Sequence, residues 1–425
     1  MIINKTNMSK TKAIFLYMLV SLFLIFEMAV QVSPSIMTNS LMQDLNIGTF
    51  GLGIMSGFYF YTYTIFQAPS GMLLDRCAPR KIITLAILTC AIGSALFGVA
   101  TNIYIGSIAR LLLGAGSAFA FVSVLITAAD LFENKHFAFF AGLTQALAAL
   151  GAMSGQVPLS HLVDSLGWRH TLFLLAIIGF MLALLVWIFL DYERHNLMHK
   201  DTSPHNAWKS LQDILSNKQT WVIAIYACLS WAPLSGFASL WAVPYFINVY
   251  QLTPPTAATL VAFMWLGVVA GSPLLGWWST YLGQRRLPLW VSECIGFFAF
   301  FIILFYIHTP IWITGVLIFV AGGATAGQVL TFSVVRELNH PKQRATALAV
   351  NNMAVVISGA IFQPLIGKLL QIHHAYFGGS TLSAYKYSLM VILASYFIAT
   401  LVAFFFIRET GGKEAESVLR SSELL

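Results

Sequence analysis

Gly71-Met72-Leu73-Leu74-Asp75-Arg76-Cys77-Ala78-Pro79-Arg80-Lys81 is a short basic turn set between two apolar runs. A degraded copy, Gly276-Trp277-Trp278-Ser279-Thr280-Tyr281-Leu282-Gly283-Gln284-Arg285-Arg286, follows 205 residues later. Both begin with glycine, carry arginine nine residues on, and sit where the second apolar span of a half-chain gives way to the third. The halves align further at an offset of 207, pairing Asp130-Leu131 with Glu337-Leu338, Lys135 with Lys342, Gln145 with Asn352 and Gln156 with Gln363. Repetition at this scale in an apolar chain argues for two pseudo-equivalent six-helix bundles.

Working outward, the chain of 425 residues is 58% hydrophobic and 9% charged, with a mean hydropathy of +0.79. A water-soluble domain carries about 25% charged residues, so this chain cannot cover a water-facing surface. Apolar spans long enough to cross a bilayer recur at 12–39, 48–74, 82–101, 103–129, 137–163, 168–190, 220–249, 256–281, 287–307, 311–335, 345–370 and 385–407. The first is too long for a signal-peptide core and lacks a small-residue cleavage site, so it is read as retained.

The net charge of +7 is an orientation device rather than a nucleic-acid footprint. With the N-terminus inside, 19 of the 23 Lys and Arg fall on the cytoplasmic side, three on the other side (Arg169, Lys368, Lys386) and one, Arg110, within a span. That bias places both termini in the cytoplasm. The expected fold is therefore an all-α integral membrane protein of 12 transmembrane helices. Residues 1–192 form one bundle, 193–218 a cytoplasmic linker, 219–410 the second bundle and 411–425 a tail. Within the linker, Ser203-Pro204 marks a helix start, and Trp208, Leu211, Ile214 and Leu215 form the apolar stripe of a short interfacial helix. Cys77, Cys90, Cys228 and Cys294 lack metal or disulfide spacing and read as small apolar helix residues.

The chain resembles the major facilitator superfamily. Asp75-Arg76 and Arg80-Lys81 match that family's loop between helices 2 and 3, with Ala78 where glycine is usual. Arg110-Leu111-Leu112-Leu113-Gly114 matches its helix 4 arginine motif, and Gly167-Trp168-Arg169 resembles a common start to helix 6. In the second copy Thr280 and Tyr281 stand where the aspartate and its following base would be, which leaves the N-half loop as the functional charge latch. Arg336-Glu337-Leu338-Asn339-His340-Pro341 and Gly359-Ala360-Ile361-Phe362-Gln363-Pro364-Leu365-Ile366-Gly367 resemble a bacterial subgroup with nutrient and siderophore carriers of intracellular bacteria. The resemblance implies a monomeric, multi-pass protein of a bacterial inner membrane that works by alternating access.

Charged groups inside apolar spans are costly to insert, about 2.5–3.5 kcal/mol each, and so point to function. Glu27 lies about 21 Å into span 1 at 1.5 Å per residue, and Gln31 shares its face. Arg110 lies about 10 Å below the outer end of span 4. The resemblance places helices 1 and 4 on a central cavity, where an acid and a guanidinium would form a proton-coupling site or an anchor for a substrate carboxylate. Tyr59, Tyr63, Gln145, Trp231, Trp241, Tyr245, Gln328, Asn351, Asn352 and Gln363 are further cavity-lining candidates. Asp75, Arg76, Arg80, Lys81, Asp130, Arg285, Glu337 and Arg344 are candidates for a cytoplasmic gate of individually weak ion pairs. Glu293 reads as an interfacial charge on a peripheral helix.

Pro34, Pro158, Pro233, Pro244 and Pro364 interrupt lining helices as rocking points. Gly151 and Gly155, like Gly322, Gly323 and Gly327, read as sites of close helix contact. No nucleophile elbow, metalloprotease motif or phosphate loop is present, which argues against an enzyme. No cofactor and no metal site is expected; the His-containing linker is read as an interfacial helix rather than a metal site, and His308, His373 and His374 as solvated loop histidines. Function is read as proton-coupled import of a small polar or carboxylated solute such as an amino acid, short peptide or organic acid. The alternatives are proton-antiport export of drugs or a siderophore, and siderophore import.

Overall fold

The structure is a computed structural model that describes residues 9–132, 137–191, 211–340, 343–377 and 380–411. Every described secondary-structure element is helical. Helix occupies each of the apolar stretches marked from the sequence, because lipid offers no partner for backbone N–H and C=O groups and an α-helix satisfies them internally. The helices are α1 (Lys10–Val32), α2 (Thr38–Asp44), α3 (Thr49–Arg76), α4 (Pro79–Gly98), α5 (Ile103–Ser117), α6 (Ala120–Leu131), α7 (Phe137–Ser154) and α8 (Val157–Phe189). There follow α9 (Lys218–Ala232), α10 (Ala242–Tyr250), α11 (Pro254–Leu282), α12 (Arg286–Phe305) and α13 (Ile311–Thr325). The last are α14 (Leu330–Leu338), α15 (Arg344–Phe377) and α16 (Thr381–Phe405). Among the described residues, 10 helical stretches are long and apolar enough to cross a membrane.

Local sequence explains the irregular points. The first span does not run unbroken to residue 39: α1 stops at Val32 and Ser33–Ile36 continues as a 3-10 turn. Pro34 has no N–H to offer the carbonyl of Val30, so the α-helical ladder ends there. Helix α8 is bent at Gly167, whose φ of 79° an L side chain rarely adopts. Just beyond the bend, Trp168 Nε1 and Arg169 Nη1 both donate to Asp44 Oδ2, at 2.9 and 2.8 Å. The segment Pro233–Trp241 is π-helical and joins α9 to α10.

By Cα proximity the chain falls into two compact units, whose boundaries lie within helices. The first comprises Met1–Asn196, Ala238–Ala262 and Gly359–Ser388; the second comprises Leu197–Phe237, Phe263–Ser358 and Leu389–Leu425. In the first unit α4 packs on α5 and α8, α3 on α5, and α1 on α7. A Cβ at Gly151 would meet the carbonyl oxygen of Ile25 at 2.7 Å, and one at Gly155 that of Ala29 at 2.6 Å. These glycines therefore bring α7 onto α1 on either side of Glu27, the close-contact role expected for them. In the second unit α12 packs on α13. An apolar core there includes Ile223, Tyr226, Leu289, Leu330, Val334, Ala399 and Ala403.

The linker helix is described only at 211–216, where Ile214 is buried and Leu215 exposed. Ser203, Pro204, Trp208, the three linker histidines, Lys135, Lys342 and the tail beyond residue 411 lie outside the described residues. The four cysteines are free thiols.

Candidate functional site

Glu27, Arg110 and Glu293 are the acidic and basic residues that the described fold buries completely, at 1%, 0% and 0% exposure. The first two meet in the first unit, through a third residue. Tyr59 of α3 donates its hydroxyl to Glu27 Oε1. The Arg110 guanidinium lies over the Tyr59 ring, 4.7 Å from its centroid. Acid and base therefore share a phenol instead of a direct ion pair. Tyr63, one turn along α3, leans on Tyr59 with ring centroids 5.9 Å apart.

Arg110 is held by backbone. Its Nη1 donates to Val30 O at 3.3 Å, and Nη2 donates to Gln31 O at 3.3 Å and Ser56 O at 3.4 Å. Val30 and Gln31 are in the last turn of α1, where carbonyls lack intrahelical donors and carry the negative end of the helix dipole. Pro34 is the residue whose missing N–H frees the Val30 carbonyl, which Ser33 Oγ also contacts at 2.9 Å. The Nε of Arg110 has no hydrogen-bond partner. The sequence expectation that both charges face an open vestibule is thus corrected: in this conformation both side chains are enclosed, and Arg110 caps a broken helix.

Glycine makes the approach possible. On α5 the residues Gly106, Arg110 and Gly114 follow one another at four-residue spacing, on one face. A Cβ at Gly114 would lie 2.0 Å from the Tyr59 carbonyl oxygen. Thr62 Oγ1 bonds Leu111 O across the same crossing at 2.8 Å. The arginine consequently enters α3 at the level of Tyr59.

Of the other lining candidates in the first unit, Gln31 and Gln145 are half-buried, and Trp241 is buried with its Nε1 on Gln363 O at 3.0 Å. Tyr245 is buried, edge-on to Tyr385 at 5.7 Å. In the second unit Gln328 Nε2 and Asn351 Nδ2 converge on Thr331 Oγ1, at 3.3 and 2.9 Å. Asn352 and Trp231 are half-buried in that unit. Thr331 was not anticipated, since one hydroxyl in an apolar span carries no signal until two amides point at it.

Among the gate candidates, Arg285 and Glu337 form an ion pair in the second unit at 2.8 Å. Arg285 Nε adds a 3.1 Å bond to the same carboxylate oxygen, its Nη1 takes Ser279 Oγ at 2.9 Å, and Thr410 Oγ1 donates to Glu337 Oε2 at 2.5 Å. Glu409 accepts from the amides of Arg285 and Arg286 at the start of α12. The second copy of the basic turn therefore keeps an ion-paired arginine despite lacking the aspartate. Arg344 Nε donates to the carbonyls of Arg336 and Asn339. The Arg80 guanidinium lies 4.4 Å from the Trp187 ring centroid, and Lys81 is exposed. Asp130 is half-buried at the end of α6. Asp75 and Arg76 are in α3, with side chains outside the described residues.

Glu293 corrects another expectation. It is fully buried rather than interfacial, and accepts hydrogen bonds from Tyr226 Oη at 3.1 Å and from Ser230 Oγ. Its enclosure was not legible because α12 is apolar on most of its surface, and a single acid early in a span resembles an interfacial one.

A family model described as Major Facilitator Superfamily matches residues 18–363 and 235–421. The chain belongs to the Major Facilitator Superfamily, a family of membrane transporters and not of enzymes, and is a multi-pass integral membrane protein. It is 20% identical to the uncharacterized transporter YybO of Bacillus subtilis over 61% of this chain and 63% of YybO. It is 24% identical to an Arabidopsis thaliana protein provisionally named glycerol-3-phosphate transporter 3, over 73% of this chain and 68% of that one. Against an Escherichia coli protein named as a probable L-galactonate transporter it is 21% identical, over 59% of this chain and 58% of that one. The fold is that of a bacterial homolog of the human lysosomal transporter Spinster: TM-score 0.76, 15% identity, covering 94% of this chain and 97% of that one.

Proposed function

We propose that the protein is a secondary active transporter of small organic anions, driven by the proton gradient, with Glu27 as the coupling acid. The observation that carries the proposal is the enclosed Glu27–Tyr59–Arg110 cluster. A lone buried carboxylate is expensive to keep ionised, so its proton occupancy is sensitive to whatever changes its surroundings. Tyr59 is positioned to report such changes, because its hydroxyl and ring bind the acid and the base at once. Of the two roles open to Arg110, relay partner and direct anchor, the geometry favours the first: three carbonyls already engage the guanidinium.

The substrate class rests on family context. Glycerol-3-phosphate and L-galactonate, the solutes in the relatives' names, are both small, hydroxylated and anionic. Arg110, the one fully buried Lys or Arg among the described residues, would supply long-range countercharge for such a solute without having to contact it. In this reading the chain crosses a bacterial cytoplasmic membrane twelve times, has both termini inside, and works as a monomer with no cofactor. In the first unit, half-buried Gln31, Tyr63 and Gln145 are candidates to hydrogen-bond the solute.

The test is uptake into proteoliposomes of glycerol-3-phosphate, sugar acids and dicarboxylates, with and without an inward proton gradient. Glu27→Gln is expected to abolish gradient-driven accumulation while leaving solute exchange measurable. If this variant concentrates solute as well as wild type, Glu27 is not the coupling acid.

A further inference from the structure

The second buried carboxylate lies outside the cluster just described. Glu293 is on α12 in the second unit and is fully enclosed. Both of its hydrogen bonds, from Tyr226 and Ser230 of α9, fall on Oε1, and Oε2 is a buried oxygen with no partner. No Lys, Arg or His forms an ion pair with it among the described residues. The polar groups facing it are few. From α9 they are Tyr226 and Ser230. From α16 comes Tyr396, whose ring would lie 2.3 Å from a Cβ at Gly296 and whose hydroxyl is committed to Ala321 O and Thr325. On α12 itself, Ser292 bonds Leu289 O, and the nearest cations are Arg285 and Arg286, about two turns away. Below lies the apolar core containing Tyr226 and Leu289.

An anion cannot be kept in such a place without a counterion. A carboxylic acid can: its carbonyl oxygen accepts two hydroxyl donors, and its proton occupies the other oxygen. The observed asymmetry, two donors on Oε1 and none on Oε2, is compatible with that arrangement.

A second feature suggests how the proton leaves. Ser230 is two residues from the end of α9, and at Pro233 the chain passes into the nine-residue π-helical segment Pro233–Trp241. π-helical turns interrupt α-helices frequently at functional sites and are points where helices kink. A shift at this junction would withdraw Ser230 and Tyr226 from Glu293 and alter its solvation.

We propose that Glu293 is a second proton-binding site: it takes a proton from water on Oε2, holds it in this conformation, and returns it to water when the π-helical junction moves. The balance is simple, carboxylate plus proton giving carboxylic acid and the reverse. This goes beyond the coupling role of Glu27 and does not depend on it.

The experiment is infrared spectroscopy of purified protein in lipid nanodiscs at neutral pH, performed in a Glu27→Gln background so that the first acid is silent. A carboxylic C=O stretching band above the amide region is expected, shifted by D2O within minutes and lost in Glu293→Gln. Tyr226→Phe keeps the acid but removes one donor from its carbonyl, and is expected to raise the band's frequency. It also serves where Glu293→Gln fails to fold. A spectrum indifferent to Glu293→Gln would mean that the residue is ionised and the proposal wrong; a Glu293-dependent band that Tyr226→Phe leaves unshifted would mean that the acid is not held in the arrangement described, which overturns the proposal as drawn. A band that depends on Glu293 but never exchanges in D2O would make it a fixed structural acid, which equally overturns a cycling proton site.

Discussion

Arg110 rests its guanidinium 4.7 Å from the ring centroid of Tyr59. The same tyrosine gives its hydroxyl to Glu27. One side chain thus keeps a buried acid and a buried base apart while linking them electrostatically, so removing parts of Tyr59 separates the two functions.

Tyr59→Phe keeps the ring under Arg110 and deletes only the donor to Glu27. Leaving a buried carboxyl without that donor costs about 1–3 kcal/mol. Gradient-driven uptake in proteoliposomes is expected to fall about tenfold, with a change in thermal midpoint small beside that of the arginine variant below. Uptake equal to wild type would show that the hydroxyl is dispensable for coupling.

Arg110→Lys retains the charge but loses the planar fork that reaches Val30, Gln31 and Ser56 together. Hydrogen bonds from a charged donor contribute about 1.5–3 kcal/mol each. A destabilisation of about 3 kcal/mol, read by chemical or thermal unfolding in detergent, is the expected result. Binding should fall alike for anionic and neutral ligands; a loss confined to anions would restore the direct-anchor role.

Gly114→Val places a branched side chain where even a Cβ would lie 2.0 Å from the Tyr59 carbonyl oxygen. Overpacking of this kind costs about 1–3 kcal/mol, and here backbone must move. Gly142, whose Cβ would meet nothing within 4 Å, is the control. Gly142→Ala should be neutral or stabilise slightly, since alanine is the better helix former by about 1 kcal/mol. Comparable midpoints for the two variants would contradict the tight α3–α5 crossing.

Arg285 and Glu337 are 16% and 13% exposed, too buried to behave as an ordinary surface pair. A double-mutant cycle with Arg285→Ala and Glu337→Gln should give a coupling of about 1–2 kcal/mol, above the 0.2–1 kcal/mol typical of exposed pairs. Thr410→Val should cost less than either, because it removes a single hydroxyl from a carboxylate still held by Arg285. An additive cycle would mean that the two residues do not couple.

The amino-acid sequence alone determined the membrane class and the helical stretches, because each follows from local composition. Bilayer thickness dictates span length, and Pro34 and Gly167 mark their own irregularities through a missing N–H and a positive φ. Glu27 and Arg110 were identifiable as candidates, since charge is rare enough in apolar spans to stand out; Tyr59 and Tyr63 offered only a pair of aromatics four residues apart.

Which of them touch was a tertiary matter. Depth alone points to a direct Glu27–Arg110 relation, yet the crossing of α5 on α3 at Gly114 inserts Tyr59 between them, and the carbonyls at the end of α1 before Pro34 capture the guanidinium. The surroundings of Glu293 are decided in the same way. Depth along a helix is readable from residue number, but enclosure depends on which neighbours the helix meets, and only packing supplied Tyr226 and Ser230. Hydropathy is a one-dimensional property of the chain, whereas the partner of a buried charge is chosen by helix crossings between residues far apart in it.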